Sequence, residues 1–530
     1  MALTNQDINR CFMRFKDRAE KVDADKITST FVDIGPLMDV LSSENNHIVN
    51  GRRGVGKTHA IRYLGNLRVE AGDVAFYIDL SGLGSDGSIY GNTSLGIPER
   101  ATRLLVDVVT AIVNAALDYT LQPSSGIDPD AMSAAFDELA EAITQVRVTG
   151  DVSVVDSQSD EESRKGTTGF SAKAAASPEG ALSLGTESGS SHKSAETVTR
   201  TGKETLRIEF GSLRRAVDRL LDLIRVNKVW LLFDEWSSIP IDLQPYLADL
   251  LRRSFFHHNR IVSKIAAIEH RSKFYLPGEG GLYIGFEMGA DVSSSINLDD
   301  YLVFDNDPDR ATEFFRILVS KHLATIAEEL GLEAGKIDDC MRAAFTQDNA
   351  FREFVRATEG VPRDAMHLLA LAAQKAASSA ISIDIIRRAA LTFYQTDKIN
   401  SVQENPTARE MLHYIINYVI SGKQTRAFLL PVSVNDKIID YLFDRRLLHI
   451  IDRSKSAAHR PGERFRVYKI DYGCYVDLHN TDKFPNDLLF AGDEESIELR
   501  DVPEDDARSF RRAILDLREF YAQAQRLGIG

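Results

Sequence analysis

An α/β fold, with a parallel sheet covered by helices on both faces, is predicted for this 530-residue chain by three observations. Short apolar runs (47–50, 74–80, 229–233 and 261–268) alternate with segments of helical spacing. Strands buried on both faces of a sheet read as such runs, whereas half-exposed strands alternate. The first run leads straight into GRRGVGKT at 51–58, and the third ends in Asp234-Glu235. Polar and ligand-binding groups gather at the carboxyl ends of the strands in an open parallel sheet.

At this length one compact core is too small a container, so two to four domains are expected. A helical N-terminal segment occupies 1–27, with helical character over 6–40. The sheet domain then runs over 28–305, with helices at 58–69 (Ile61, Leu64, Leu67), 100–117, 213–224 and 243–255. An all-helical lid over 306–400 follows, then a small helix–strand domain over 401–482 and an acidic tail with an amphipathic helix (Phe510, Ile514, Leu517, Phe520) over 483–530.

Apolar and charged contents of 43% and 27% are those of an ordinary soluble globular protein. No secretory leader and no apolar stretch of about 18 residues is evident, so no membrane contact is expected. Cys11, Cys340 and Cys474 are scattered, which suits neither a disulfide framework nor a zinc site and points to a cytoplasmic protein. The net charge of −15 restricts any nucleic-acid contact to a local basic patch.

From about 146 to 205 the chain turns to Ser, Gly, Thr, Ala and Glu. One reading is a disordered insertion. The other takes VRVTGDVSVV, and GFSAKAAA and ALSLGTE about a Pro-Glu-Gly turn, as thin strands that order only against neighbouring subunits of a homo-oligomer.

Gly51, Gly56, Lys57 and Thr58 fit G-x-x-x-x-G-K-[ST], between a strand and a helix as that pattern requires. Gly51, Gly54 and Gly56 let the backbone amides about Val55 wrap a phosphate where a Cβ would collide, and the helix N-terminus at Thr58-His59 faces the same anion. Lys57 then reaches the β- and γ-phosphates of ATP, and the Thr58 hydroxyl and Asp234 ligate Mg²⁺. Glu235 orients and deprotonates the attacking water. Two further polar sites suggest nucleotide sensing: Glu269-His270-Arg271 at the end of the 261–268 run, and Arg363 in GVPR at 360–363, opening a helix.

With FVDIGPLMDVL, GRRGVGKT, LLFDEW and GVPR on the page, the chain resembles an AAA+ P-loop ATPase, most of all the origin-recognition/initiator branch and its STAND-like bacterial relatives, many of which act in anti-phage defence. The resemblance covers about 28–120 and 206–475, and implies an ATPase with a C-terminal winged helix and a sensor arginine at Arg363. Such proteins supply an arginine finger from just after the sensor strand. Here no arginine lies between Arg271 and Arg310, which leaves Arg271, Arg252 or Arg253 as substitutes.

The helix–strand–helix–two-strand order from 406 to 470 suits a winged helix with its wing at 454–462. Over 423–469, Lys423, Arg426, Lys437, Arg445, Arg446, Arg453, Lys455, Arg460, Arg464, Arg466 and Lys469 outnumber acids about two to one, the patch that DNA contact needs. His459 and Arg460 sit at the wing tip; Asp436, Asp440 and Asp444 on the recognition helix would repel phosphate. Two functions follow: an ATP-driven switch acting on DNA, or an oligomerising scaffold that signals to a separate effector protein.

Overall fold

The computed structural model describes residues 3–16, 24–33, 35–83, 88–122, 127–143, 145–149, 152–154, 165–169, 185–189, 198–200, 203–332, 336–422, 425–456, 462–480 and 513–526. The strands in chain order are β1 (His47–Asn50), β2 (Val74–Asp79), β3 (Gln145–Thr149), β4 (Val152–Val154), β5 (Lys165–Gly169), β6 (Gly185–Gly189), β7 (Val198–Arg200), β8 (Lys203–Arg207), β9 (Val229–Asp234), β10 (Ile261–Ala267), β11 (Tyr275–Pro277), β12 (Tyr283–Gly285), β13 (Ser294–Asn297), β14 (Ala427–Pro431), β15 (Leu448–Ser456) and β16 (Arg464–Ile470).

Five of them form the central sheet in the order β13-β1-β10-β9-β2, every pair parallel. Strand β9 explains why this sheet is covered on both faces. All its residues are buried. Trp230 and Leu232 enter one apolar core with Ile61 and Leu64 of the helix Lys57–Glu70. Val229, Leu231 and Phe233 enter the other, with the helices Ile97–Thr120, Pro129–Ile143 and Phe210–Ile224. The α/β class expected from the sequence is therefore the one observed.

Detail departs from expectation where apolar spacing is a poor guide. Strand β13 is short and polar, yet it closes the sheet edge against β1. In place of continuous helix over 6–40, the described residues hold three short helices, Asn5–Phe12, Ala24–Thr30 and Leu37–Leu41.

Helices Pro308–Glu329, Ile337–Ala344, Asp348–Ala357, Pro362–Ala376 and Ile383–Phe393 make up the helical region, and its core is continuous with that of the C-terminal unit. That unit contains the helices Pro406–Ile415 and Lys437–Asp444 and an antiparallel sheet in the order β14-β16-β15. Chain from the tail returns to it: Leu429 N–H donates to the Ala513 carbonyl (2.7 Å) and Leu515 N–H to the Leu429 carbonyl (3.0 Å). Ile514 thus lies in an extended bridge, and the tail helix begins only at Leu517. Phe510 falls outside the described residues.

At the amino end of the sheet, the buried Lys264 ammonium donates to the carbonyls of Ser43 (2.9 Å) and Asn45 (2.6 Å) and to His47 Nδ1 (2.9 Å). Burial, aided by the Lys264 charge, holds His47 down to about 4. A histidine that is harder to protonate folded than unfolded contributes stability fully above about pH 6.5, and this is lost as pH falls below that value. Lowering the pH from 7 to 5 should remove about 2 kcal/mol through His47. Denaturant melts at both pH values, repeated on His47→Gln, check this; an equal pH loss in the variant would remove His47 as the cause.

Candidate functional site

The phosphate-loop sequence leaves β1 and curls back before the helix Lys57–Glu70. Gly56 has φ 104°, and a Cβ built there meets nothing within 4 Å, so the space beside the loop is open. Gly54 has φ 88°, and a Cβ there would lie 2.6 Å from Arg363 Cβ. Glycine is thus required at 54 both by conformation and by the close approach of the helix Pro362–Ala376. The Arg363 N–H also donates to the Gly54 carbonyl at 3.1 Å.

Around the loop lies a cavity of about 440 Å³, lined by Arg53, Gly54, Gly56, Lys57, Thr58, His59, Tyr77, Asp79, Asp234, Glu235 and Arg363, among others. Gly51 and Val55 support the loop from behind, Val55 fully buried. Lys57 Nζ donates to the carbonyls of Gly51 (2.8 Å) and Arg52 (3.1 Å). Burial lowers its pKa, against the opposing pull of Glu235, Asp234 and Asp299.

Asp234, the last residue of β9, is buried; its carboxylate accepts from Tyr77 O–H (2.7 Å) and from the Glu235 N–H (2.8 Å). Glu235 adopts a left-handed backbone (φ 53°), an unfavourable conformation for a residue with a Cβ that clusters at functional sites. Burial raises its pKa and repulsion from Asp234 adds to this, with Lys57 and Arg53 pulling the other way. A carboxylate with a raised pKa, beside a lysine and an open loop, is chemically able to take a proton from water.

The cavity continues to a wall of Lys16, Thr30, His59, Leu318, His322 and Met366. Of these the sequence reading singled out only His59. Tyr77 and Asp79 were also missed, although β2 alternates, so that Tyr77 and Asp79 share one face.

The Glu269-His270-Arg271 turn does not line this cavity. Glu269 accepts from Asn297 and Arg453, His270 faces Asp440 at 3.4 Å, and Arg271 pairs with Asp444 at 2.5 Å. The acids of helix Lys437–Asp444 thus hold the core. The finger substitutes are also engaged within the chain, Arg252 and Arg253 both with Asp249.

Much of the 423–469 basic excess points inward as well. Arg426 and Lys469 pair with the buried Glu359, Lys469 also with Asp305, Arg446 with Asp364, and Arg453 with Asp300 and Glu269. Arg466 donates to the Val434 carbonyl (2.5 Å) and to Asn435 (3.0 Å), and Lys455 pairs with Asp452. Lys437, Arg445 and Arg464 remain exposed; Lys423, His459 and Arg460 lie outside the described residues.

One loop residue that the sequence reading passed over ties these parts together. Arg52 is buried; its Nε donates to Asp299 (2.7 Å) and its Nη1 to His449 Nδ1 (2.9 Å), with the guanidinium 4.5 Å above the Phe443 ring. Because Arg52 can only donate, His449 Nδ1 accepts and Nε2 carries the proton towards Asp471, 3.2 Å away. Burial keeps His449 neutral, far below the usual imidazole pKa. Asp471 accepts from Lys398 (2.5 Å), which also pairs with Asp364, next to Arg363. A buried polar chain therefore runs from the phosphate loop through the C-terminal unit to the helix carrying Arg363.

Residues 15–67, which include the whole of GRRGVGKT, match the ORC-CDC6-like family. No curated protein matches the chain. Among solved structures, the chain is similar to Drosophila ORC bound to DNA, at 10% identity over 87% of this chain and 93% of that one, with a TM-score of 0.30. It is also similar to the Aeropyrum pernix ORC1 protein in complex with DNA, at 14% identity over 91% of this chain and 98% of that one, with a TM-score of 0.32.

Proposed function

We propose that this chain is an ATP-binding and ATP-hydrolysing switch of the AAA+ initiator type. The observation that carries this reading is the meeting of Lys57, Thr58, Asp234, Glu235 and Arg363 around one cavity beside an open glycine loop. The ORC-CDC6-like match over the loop supports it. Lys57 leaves the loop carbonyls to bind the β- and γ-phosphates, and the amides ahead of it hold the phosphate oxygens. Thr58 and Asp234 would hold Mg²⁺, a hard cation that takes oxygen ligands and would supply charge neutralisation on the phosphates. Glu235 accepts the proton of the attacking water. Arg363, anchored to Gly54 through its own N–H, carries the state of the γ-phosphate into the helical region.

Calorimetry tests the binding step. Wild type should take up ATP with Mg²⁺, and Lys57→Ala should weaken uptake at least about 100-fold, since a charge-assisted contact to phosphate is lost. No uptake by wild type, or equal uptake by both, would defeat the proposal.

The C-terminal unit is proposed as a winged helix whose seat on the core responds to nucleotide, with Lys437, Arg445 and Arg464 as DNA contacts. The inward pairing of Arg426, Arg446, Arg453 and Lys469 favours the second reading, an oligomerising scaffold that recruits a separate effector protein without touching DNA. Binding to a duplex measured across salt concentrations decides between them. A steep loss of affinity with rising salt supports DNA contact, and no binding at any salt supports the scaffold.

A further inference from the structure

A second cavity, of about 430 Å³, lies in the C-terminal unit, within the size range of small-ligand pockets. It opens between the helix Pro406–Ile415, continued by the π-helix Ile416–Gly422, and the tail helix Leu517–Arg526. Glu410, Tyr414, Tyr418 and Gly422 line one side of it at four-residue intervals. The change of helix type explains the row. At about 3.6 residues per turn, a step of four in an α-helix overshoots one turn. The i→i+5 bonding of a π-helix takes more than four residues per turn, so the same step there falls short and the two drifts oppose each other. Such π turns are rare and occur often at functional sites.

The lining is aromatic at its centre. The Tyr414 and Tyr418 rings are near-parallel (10°) with centroids 6.0 Å apart, and the Phe520 ring stands 5.5 Å from Tyr414. The tail fixes both tyrosines. Tyr418 O–H donates to the Ile514 carbonyl (2.8 Å), and Tyr414 O–H to the Asp516 carbonyl and the Glu519 carboxylate (3.3 Å each). The charge around these rings is negative. Glu410 lines the cavity with its side chain 32% exposed, 3.7 Å from Arg409 and so beyond hydrogen-bond reach of it. Burial, and then the charges of Glu519 and Asp516, push both tyrosine hydroxyls up. His413, Asn417 and Gln523 also line the cavity, and among the described residues no Lys or Arg does.

We infer that this cavity is a binding site for a guanidinium cation, stacked on the tyrosine rings and paired with Glu410, the cation being that of free arginine or of an arginine within a polypeptide. A guanidinium is planar and weakly hydrated, stacks on aromatic faces and pairs with a carboxylate through two parallel bonds. The near-parallel rings match that flat shape, and the surrounding acids match its charge. A lysine ammonium is a compact, strongly hydrated charge and loses more on leaving water.

Calorimetry on the full chain without nucleotide tests this with three probes: free arginine, N-acetyl-arginine methylamide, and citrulline, the neutral isostere. At least one arginine probe should bind with a Kd of about 1 mM or tighter, and citrulline at least about ten-fold more weakly. Binding of both arginine probes makes the free amino acid a sufficient ligand, and binding of the capped form alone assigns the site to an arginine within a polypeptide. Glu410→Gln keeps the shape of the lining and should weaken binding about ten-fold or more. Tyr414→Leu should weaken it several-fold, whereas Tyr414→Phe, which keeps the ring, should bind like wild type. No binding of either arginine probe to wild type, equal binding of citrulline, or equal binding by Glu410→Gln overturns the inference. All three variants should take up ATP like wild type, so failure of this site and failure of the nucleotide site give different results.

Discussion

Replacing Glu235 by Gln should lower ATP turnover by about 10²- to 10⁴-fold while leaving nucleotide affinity within a few-fold of wild type. The amide keeps the volume and the contact surface of the carboxylate but accepts no proton from water. The buried position beside Asp234 sharpens the test. Because burial and the Asp234 charge raise the Glu235 pKa, turnover by wild type should climb with pH through a limb displaced above the ordinary carboxylate range. That limb should vanish in the variant. The same shift sets a stability sign. A carboxylate that is harder to ionise folded than unfolded costs stability once pH exceeds its unfolded pKa, and the cost is full above its folded pKa. Glu235→Gln should therefore melt at the same temperature or higher at pH 7, gaining stability as it loses turnover. A variant with wild-type turnover, measured by phosphate release, would remove Glu235 from the proposed chemistry.

Arg52→Ala should destabilise the fold by about 3–5 kcal/mol, the range for breaking one partner out of a buried ion pair. Asp299 would be left charged and buried, and His449 Nδ1 would lose its donor. The effect should not stay local. Hydrogen exchange should rise across 447–470, and the ATP concentration for half-saturation should rise with it, because the loop backbone at Arg52 is held by Asp299 too. Arg52→Lys should recover little, since a single ammonium cannot serve Asp299 and His449 in the planar fork that a guanidinium offers. Unchanged exchange in 447–470 would show that the C-terminal unit is seated independently of the loop.

The sheet, and the loop and strand end that meet at the cavity, were legible because each carries a local signature. Strand β9 is an unbroken apolar run, and the Gly and Lys spacing of 51–58 fits a known loop pattern between a strand and a helix. What stayed hidden depends on partners distant in sequence. Arg52 reads as loop filler until Leu448 and His449 arrive nearly 400 positions later. The basic count over 423–469 was right as arithmetic, but a count has no direction; Arg426 and Lys469 are buried against Glu359. Strand β13 escaped because Ser294–Asn297 has the polarity of a turn and earns its place only by hydrogen bonding along β1.

Lys57 sits with its side-chain nitrogen on the carbonyls of Gly51 and Arg52, so the loop curls around a side chain of its own. On the proposed function, a triphosphate would exchange one set of oxygens for another around that nitrogen. Capture should then be quick and only mildly heat-releasing, leaving the lifetime of the complex, not its formation, as the quantity that a cell can set.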